Sequence, residues 1–139
     1  MSVQPYLFFA GRCEEALDYY RRALGAEDGM VLRWKDCPEP ADRRPPGVKD
    51  NMIMHARLRI GDTSILASDG CGEGEPSFKG IALSLTAADD AEAERRFNAL
   101  ADGGQVQMPL TKTFFSSSFG MVADRFGVTW MVYVAPAEG

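Results

Sequence analysis

Residues 13–25 read CEEALDYYRRALG, and residues 89–104 read DDAEAERRFNALADGG. In the first stretch Ala16, Tyr20, Ala23 and Leu24 fall on one face of a 3.6-residue period. In the second, Ala93, Phe97, Leu100 and Ala101 repeat that spacing, each 77 positions after its counterpart (16 to 93). Both stretches carry helix punctuation. Glu14 and Glu15 suit the positive end of a helix dipole, and Arg21 and Arg22 the negative end. Gly25 stands where a left-handed cap is wanted. Asp89 followed by Glu92 resembles a capping box, with Gly103-Gly104 as the stop. Two amphipathic helices, over 13–24 and 89–102, are therefore expected.

Outward from each helix the chain reads as strands. Val3–Ala10 precedes the first helix, and Glu27–Trp34, Asn51–Ile60 and Thr63–Ser68 follow it, the last two joined by a Gly61-Asp62 turn. Lys79–Thr86 precedes the second helix. Gln105–Met108, Phe119–Asp124 and Val128–Val134 follow it, with a turn around Arg125-Phe126-Gly127. Residues 35–50, KDCPEPADRRPPGVKD, hold four prolines in a dense run of charges and read as a solvated loop. Residues 69–77 are Gly-rich and read as a linker. The chain is thus β-α-β-β-β twice. The expected fold is α+β, a single domain of two modules (about 1–69 and 79–135) that together form a cupped mixed sheet with a concave face.

Composition sets limits. The chain has 139 residues, 45 % hydrophobic and 25 % charged, enough to bury a core without metal or disulfide staples. Apolar runs such as Trp130–Val134 fall far short of the roughly 20 residues of a membrane span. No secretory leader is visible. Fifteen Lys and Arg against 20 Asp and Glu give a net charge of −5, which disfavours nucleic acid and anionic membrane as partners. Cys13, Cys37 and Cys71 are an odd, widely spaced set that reads as free thiols in a reducing cytoplasm.

Three segments carry a family resemblance: PYLFFAGRCEEALDYYRRALGAE (5–27), MHARLRIGDTSILASDG (54–70) and TFFSSSFGMVADRFGVTWMVYV (113–134). The last, with FG and then D-x-FG-V-x-WM, is the most specific. Together with the doubled β-α-β-β-β pattern they resemble the vicinal oxygen chelate superfamily (glyoxalase I, extradiol dioxygenases, bleomycin-resistance proteins), in its PhnB-like branch. The resemblance implies a homodimer, often with modules exchanged between chains. It also implies a divalent metal held by His, Gln or Glu from the first and last strand of each module. Those positions fall here at Pro5 (or Gln4), Leu66, Gly80 and Met131. None suits a hard cation, and the neighbours Tyr6, Ile65, Ala67, Ile81, Trp130 and Val132 supply no replacement set. Neither a metal site of the superfamily type nor a cofactor is expected. Members of the branch sometimes carry a ubiquinone-methyltransferase label, but the chain has no GxGxxG turn and no parallel βαβ series of the usual methyl-donor site.

The candidate site residues follow from strand alternation. In 51–60, Met52, Met54, Ala56, Leu58 and Ile60 alternate with Ile53, His55, Arg57 and Arg59. If the apolar set packs on the helix, His55 and Arg57 face the cup, where they would bind an anionic or enolic oxygen and His55 would shuttle a proton. The plainer alternative is a structural or solvent-exposed histidine and arginines on a solvated edge or in dimer salt bridges. Ser84, Thr129 and Tyr133 are weaker polar candidates, and Phe115 and Trp130 aromatic walls, against plain core packing for the aromatics. KTFFSSS (112–118) reads as a loop over the pocket mouth. Cys13 is either a thiol activated by the helix start or a buried inert one. Three functions remain open: a metal-independent protein binding a small-molecule ligand, a lyase, isomerase or dioxygenase assisted by His55 or a metal, and a protein acting by dimer association alone.

Overall fold

The computed structural model describes residues 1–38, 44–70 and 76–136. Cys71 lies outside them. The chain forms two compact units, Met1–Pro76 and Ser77–Gly139.

The first unit runs β1 (Tyr6–Phe8), α1 (Cys13–Leu24), β2 (Glu27–Arg33), a short 3-10 turn at Trp34–Asp36, β3 (Ile53–Ile60) and β4 (Thr63–Ser68). Its sheet has the order β1-β4-β3-β2, with β1 parallel to β4 and the other pairs antiparallel. The second unit repeats this as β5 (Ala82–Ala87), α2 (Asp90–Ala101), β6 (Gln105–Thr111), β7 (Phe119–Ala123) and β8 (Thr129–Val134), in the order β5-β8-β7-β6 with β5 parallel to β8. These two four-stranded mixed sheets, each with one helix, are the α+β architecture expected. Among the described residues no helix is long and apolar enough to cross a membrane.

The helices end as their sequences require. Gly25, at φ +65°, donates its N–H to the Arg21 carbonyl, and the Ala26 N–H reaches the Tyr20 carbonyl. At α2 the Asp89 carboxylate accepts the Glu92 N–H at 2.8 Å. One face of each sheet packs on its helix. In the first unit this face carries Leu7, Phe9, Ala56, Leu58, Ile65 and Ala67 against Ala16, Leu17 and Tyr20, all buried. In the second it carries Val122, Trp130 and Val132 against Ala93, Phe97 and Leu100. Gly120 is required there: a Cβ on it would stand 2.8 Å from the Phe97 ring.

The apolar stripe of β3 departs from strict alternation at one place. Ala56 and Leu58 are fully buried as expected, but Ile53 takes the core position expected of Met54, and Met52 and Ile60 at the two ends of the expected stripe are only half-buried. The cause is a bulge: Leu32 pairs with His55 and the next residue, Arg33, with Ile53, so Met54 is an extra residue on β3. Edge strand β6 has two similar register shifts, the second around Pro109, where a residue without N–H is tolerated.

Two buried carboxylates hold the units together internally. Asp69, 4 % exposed, is no linker residue. Its two oxygens accept the N–H of Cys13 at 2.7 Å and of Ile53 at 2.6 Å. Asp124, 3 % exposed, accepts the N–H of Phe126 and Val128 on one oxygen and the Trp130 indole N–H, at 2.9 Å, on the other. Asp69→Asn or Asp124→Asn would turn an amide NH2 toward one of these donors. Each substitution is predicted to cost about 1–3 kcal/mol in denaturant unfolding, with wild-type secondary structure by circular dichroism.

Burial, and then the nearby Asp69 charge, pushes the Cys13 thiol up to about 12. The helix start therefore does not activate it. A thiol whose folded value lies above its unfolded value of about 9 stabilises fully below that value, and the contribution is lost as pH rises from there toward 12. Thiol labelling of the native protein at mildly alkaline pH, read by peptide mass spectrometry, is predicted to modify half-buried Cys37 and spare Cys13 until denaturant is added.

Candidate functional site

In the first unit, the sheet face away from α1 is set by register. Tyr6 lies opposite Leu66, and Leu66 opposite Arg57, so these three side chains form a row across β1, β4 and β3. Phe8, Ser68 and His55 project from the same face one period along. His55 and Arg57 thus stand together on the face opposite the helix, while Ala56 and Leu58 between and beyond them are in the core.

Tyr6 and Phe8 join them and were not among the residues singled out above. The Tyr6 hydroxyl is hydrogen-bonded to Nδ1 of His55 at 3.0 Å. In the tautomer that lets the phenol donate, Nδ1 accepts and Nε2 carries the imidazole proton. The Tyr6 ring lies 4.9 Å from Phe8 and 5.6 Å from the His55 ring, centroid to centroid. Phe8 is 58 % exposed, an apolar surface beside the polar pair. Alternation within Tyr6-Leu7-Phe8-Phe9 was the available signal: Leu7 and Phe9 are buried, so Tyr6 and Phe8 share the other face. Arg57 makes no ion pair among the described residues, whereas Arg59 is held by Glu27. The Arg57 stem lies over Gly29, where an added Cβ would come within 3.3 Å of it.

In the second unit Ser84, Met131, Met121 and Met108 form one row across the sheet, and Thr86, Tyr133, Phe119 and Thr111 the next. Thr129 shares this face with Ser84 and Tyr133. Trp130 does not: it projects to the α2 side, is 3 % exposed, and spends its indole N–H on Asp124. The same period of two that groups Thr129 with Tyr133 sends Trp130 the other way. Phe115 stacks edge-on with Phe119 and with Phe114, each at 5.2 Å. Its loop is tied down. The Ser116 hydroxyl, buried, bridges the backbones of Ser118 and Val134. The Ser117 and Ser118 hydroxyls both donate to Asp90, and these bonds hold the Asp90 carboxyl below the usual carboxylate range.

The positions to which the family resemblance assigns metal ligands do not fit a hard divalent cation. Leu66 and Met131 stand on the sheet faces away from the helices. Pro5 and Gly80, just before β1 and β5, have no side-chain donor, and the Pro5 carbonyl is spent on the Leu66 N–H. Among the described residues no three His, Cys, Asp or Glu side chains are grouped to hold a metal ion.

Comparison with known proteins agrees with the doubled fold. The family described as 3-demethylubiquinone-9 3-methyltransferase matches residues 1–133. The chain is 38 % identical over 144 residues to Protein YjdN of Escherichia coli (strain K12), covering 99 % of this chain and 98 % of that one. The crystal structure of protein PA1353 from Pseudomonas aeruginosa superposes with a TM-score of 0.83 at 46 % identity, covering 99 % of each chain. A putative 3-demethylubiquinone-9 3-methyltransferase, PhnB protein, from Bacillus cereus gives 0.79 at 26 % identity over 97 % of this chain and 100 % of that one. The fosfomycin resistance protein FosX of Listeria monocytogenes shares the fold alone, with a TM-score of 0.68 at 8 % identity over 99 % of this chain and 95 % of that one. The chain belongs to the PhnB-like family, described as 3-demethylubiquinone-9 3-methyltransferase.

Proposed function

We propose that the protein binds a small oxygenated molecule on the first sheet's face away from α1, without a superfamily-type metal. The observation that carries this reading is the Tyr6–His55 hydrogen bond beside the uncommitted Arg57. Tyr6 fixes the imidazole so that Nε2–H points away from the bond as a donor. Arg57 supplies a planar cationic fork for a carboxylate or enolate oxygen. Phe8 offers an aromatic surface for the ligand's apolar body. Leu66, between Tyr6 and Arg57, keeps the floor apolar and strengthens polar contacts made above it.

A second reading draws on the same bond. An imidazole held by a phenol is a competent proton relay, so His55 would act as acid or base on a substrate whose enolate Arg57 stabilises, in a lyase or isomerase reaction. The methyl transfer named in the family's description finds less support. Both sheets are mixed, and a methyl donor or dinucleotide usually sits at the switch point of a doubly wound parallel sheet. The reading also includes a cytoplasmic homodimer, since β1, β2, β5 and β6 are edge strands within their sheets and pairing would cover such edges.

Native mass spectrometry of the purified protein tests the whole reading. The expected result is a dimer with substoichiometric metal and a co-purifying small molecule. His55→Ala and Arg57→Gln are expected to lose that molecule, and Tyr6→Phe to weaken its retention about tenfold, with little change in melting temperature. A tightly held stoichiometric metal ion would contradict the reading. So would retention of the molecule by both His55→Ala and Arg57→Gln.

A further inference from the structure

A cleft of about 790 Å3 in the first unit is lined by Glu14, Arg33, Lys35, Lys49, Asp50 and Asp69, among others. None of these belongs to the Tyr6–His55 face. Its acidic groups are already committed. Glu14 is paired with Arg33, which also donates to the Asn51 carbonyl. Asp50 is paired with Arg44. Asp69 is buried and spends both oxygens on backbone N–H groups. The two lysines are not committed: among the described residues neither ammonium makes an ion pair.

Their placement is nonetheless fixed by backbone. The Lys35 N–H donates to the Asp50 carbonyl at 2.9 Å, and the Lys49 carbonyl accepts the Met52 N–H at 3.1 Å. These bonds bring the two ends of the Pro-rich loop together and set Lys35 and Lys49 at one cleft. With Glu14 and Asp50 paired to arginines, the two unpaired ammonium groups exceed the one remaining acid charge of the lining, that of buried Asp69, and leave a local excess of positive charge in a chain of net charge −5. From this geometry we infer that the cleft binds a small dianion, a phosphoryl group or a dicarboxylate, through Lys35 and Lys49. Lysine acts as a compact point charge that takes either headgroup.

Calorimetric titration at constant ionic strength tests the site with two probes, inorganic phosphate above its second ionisation and succinate. Saturable one-to-one binding of either probe at millimolar concentration is expected, weakening as chloride is raised. A response to phosphate alone assigns a phosphoryl ligand, and to succinate alone a dicarboxylate. The double variant Lys35→Ala/Lys49→Ala is expected to bind at least about tenfold more weakly, roughly 1.4 kcal/mol. The charge-matched double variant Lys79→Ala/Lys112→Ala, in the second unit, should bind as wild type. No saturable binding of either probe would overturn the inference, as would equal losses in the two lysine double variants.

Discussion

The buried Asp69 carboxylate is the constraint on which the first unit depends. It receives the first helical N–H of α1 and the first N–H of β3, while its own N–H donates to the Ile53 carbonyl and its carbonyl accepts the Gly11 N–H. Four hydrogen bonds from one residue tie the β1–α1 turn, the helix start and the β3 entry to the end of β4. Ile53 is thereby held in the core and Met54 is left as the bulged residue. From there on β3 alternates, Ala56 and Leu58 inward and His55 and Arg57 outward. A one-residue slip would exchange these sets. The position of the histidine is therefore a consequence of a carboxylate that never touches it.

The second unit solves the same problem with different residues. Asp124 closes the turn between β7 and β8 and anchors Trp130 beneath the sheet. Gly127, at φ +86°, completes that turn by donating its N–H to the Asp124 carbonyl. The D-x-FG-V-x-WM motif is thus a structural device, and its tryptophan a core residue. What faces away from α2 is Ser84, Thr129 and Tyr133 with a row of methionines, a softer and less charged surface than that of the first sheet.

Much of this was legible in the sequence. The two helices were readable because each carries a regular apolar face and explicit caps, features that local physics sets. The side of His55 and Arg57 was readable because the apolar set of β3 has to be buried. The Met54 bulge was not, since it depends on pairing with Arg33 and on Asp69, both distant in sequence. Asp69 and Asp124 gave no local signal of burial: an aspartate before a turn is ordinarily exposed, and only the donors converging on it reverse that. Tyr6 was half legible. Its face followed from alternation, but its bond to His55 crosses from β1 to β3 over the intervening β4.

The central claim is that Tyr6 holds the imidazole of His55 in one tautomer on an open sheet face. The chain has a single histidine, so a long-range proton–nitrogen NMR spectrum reports that ring without ambiguity. The account predicts a neutral imidazole protonated at Nε2, with Nδ1 unprotonated and accepting, and a shift toward exchanging tautomers in Tyr6→Phe. A ring that averages both tautomers in the wild type, or one whose signals are unchanged by Tyr6→Phe, would contradict it.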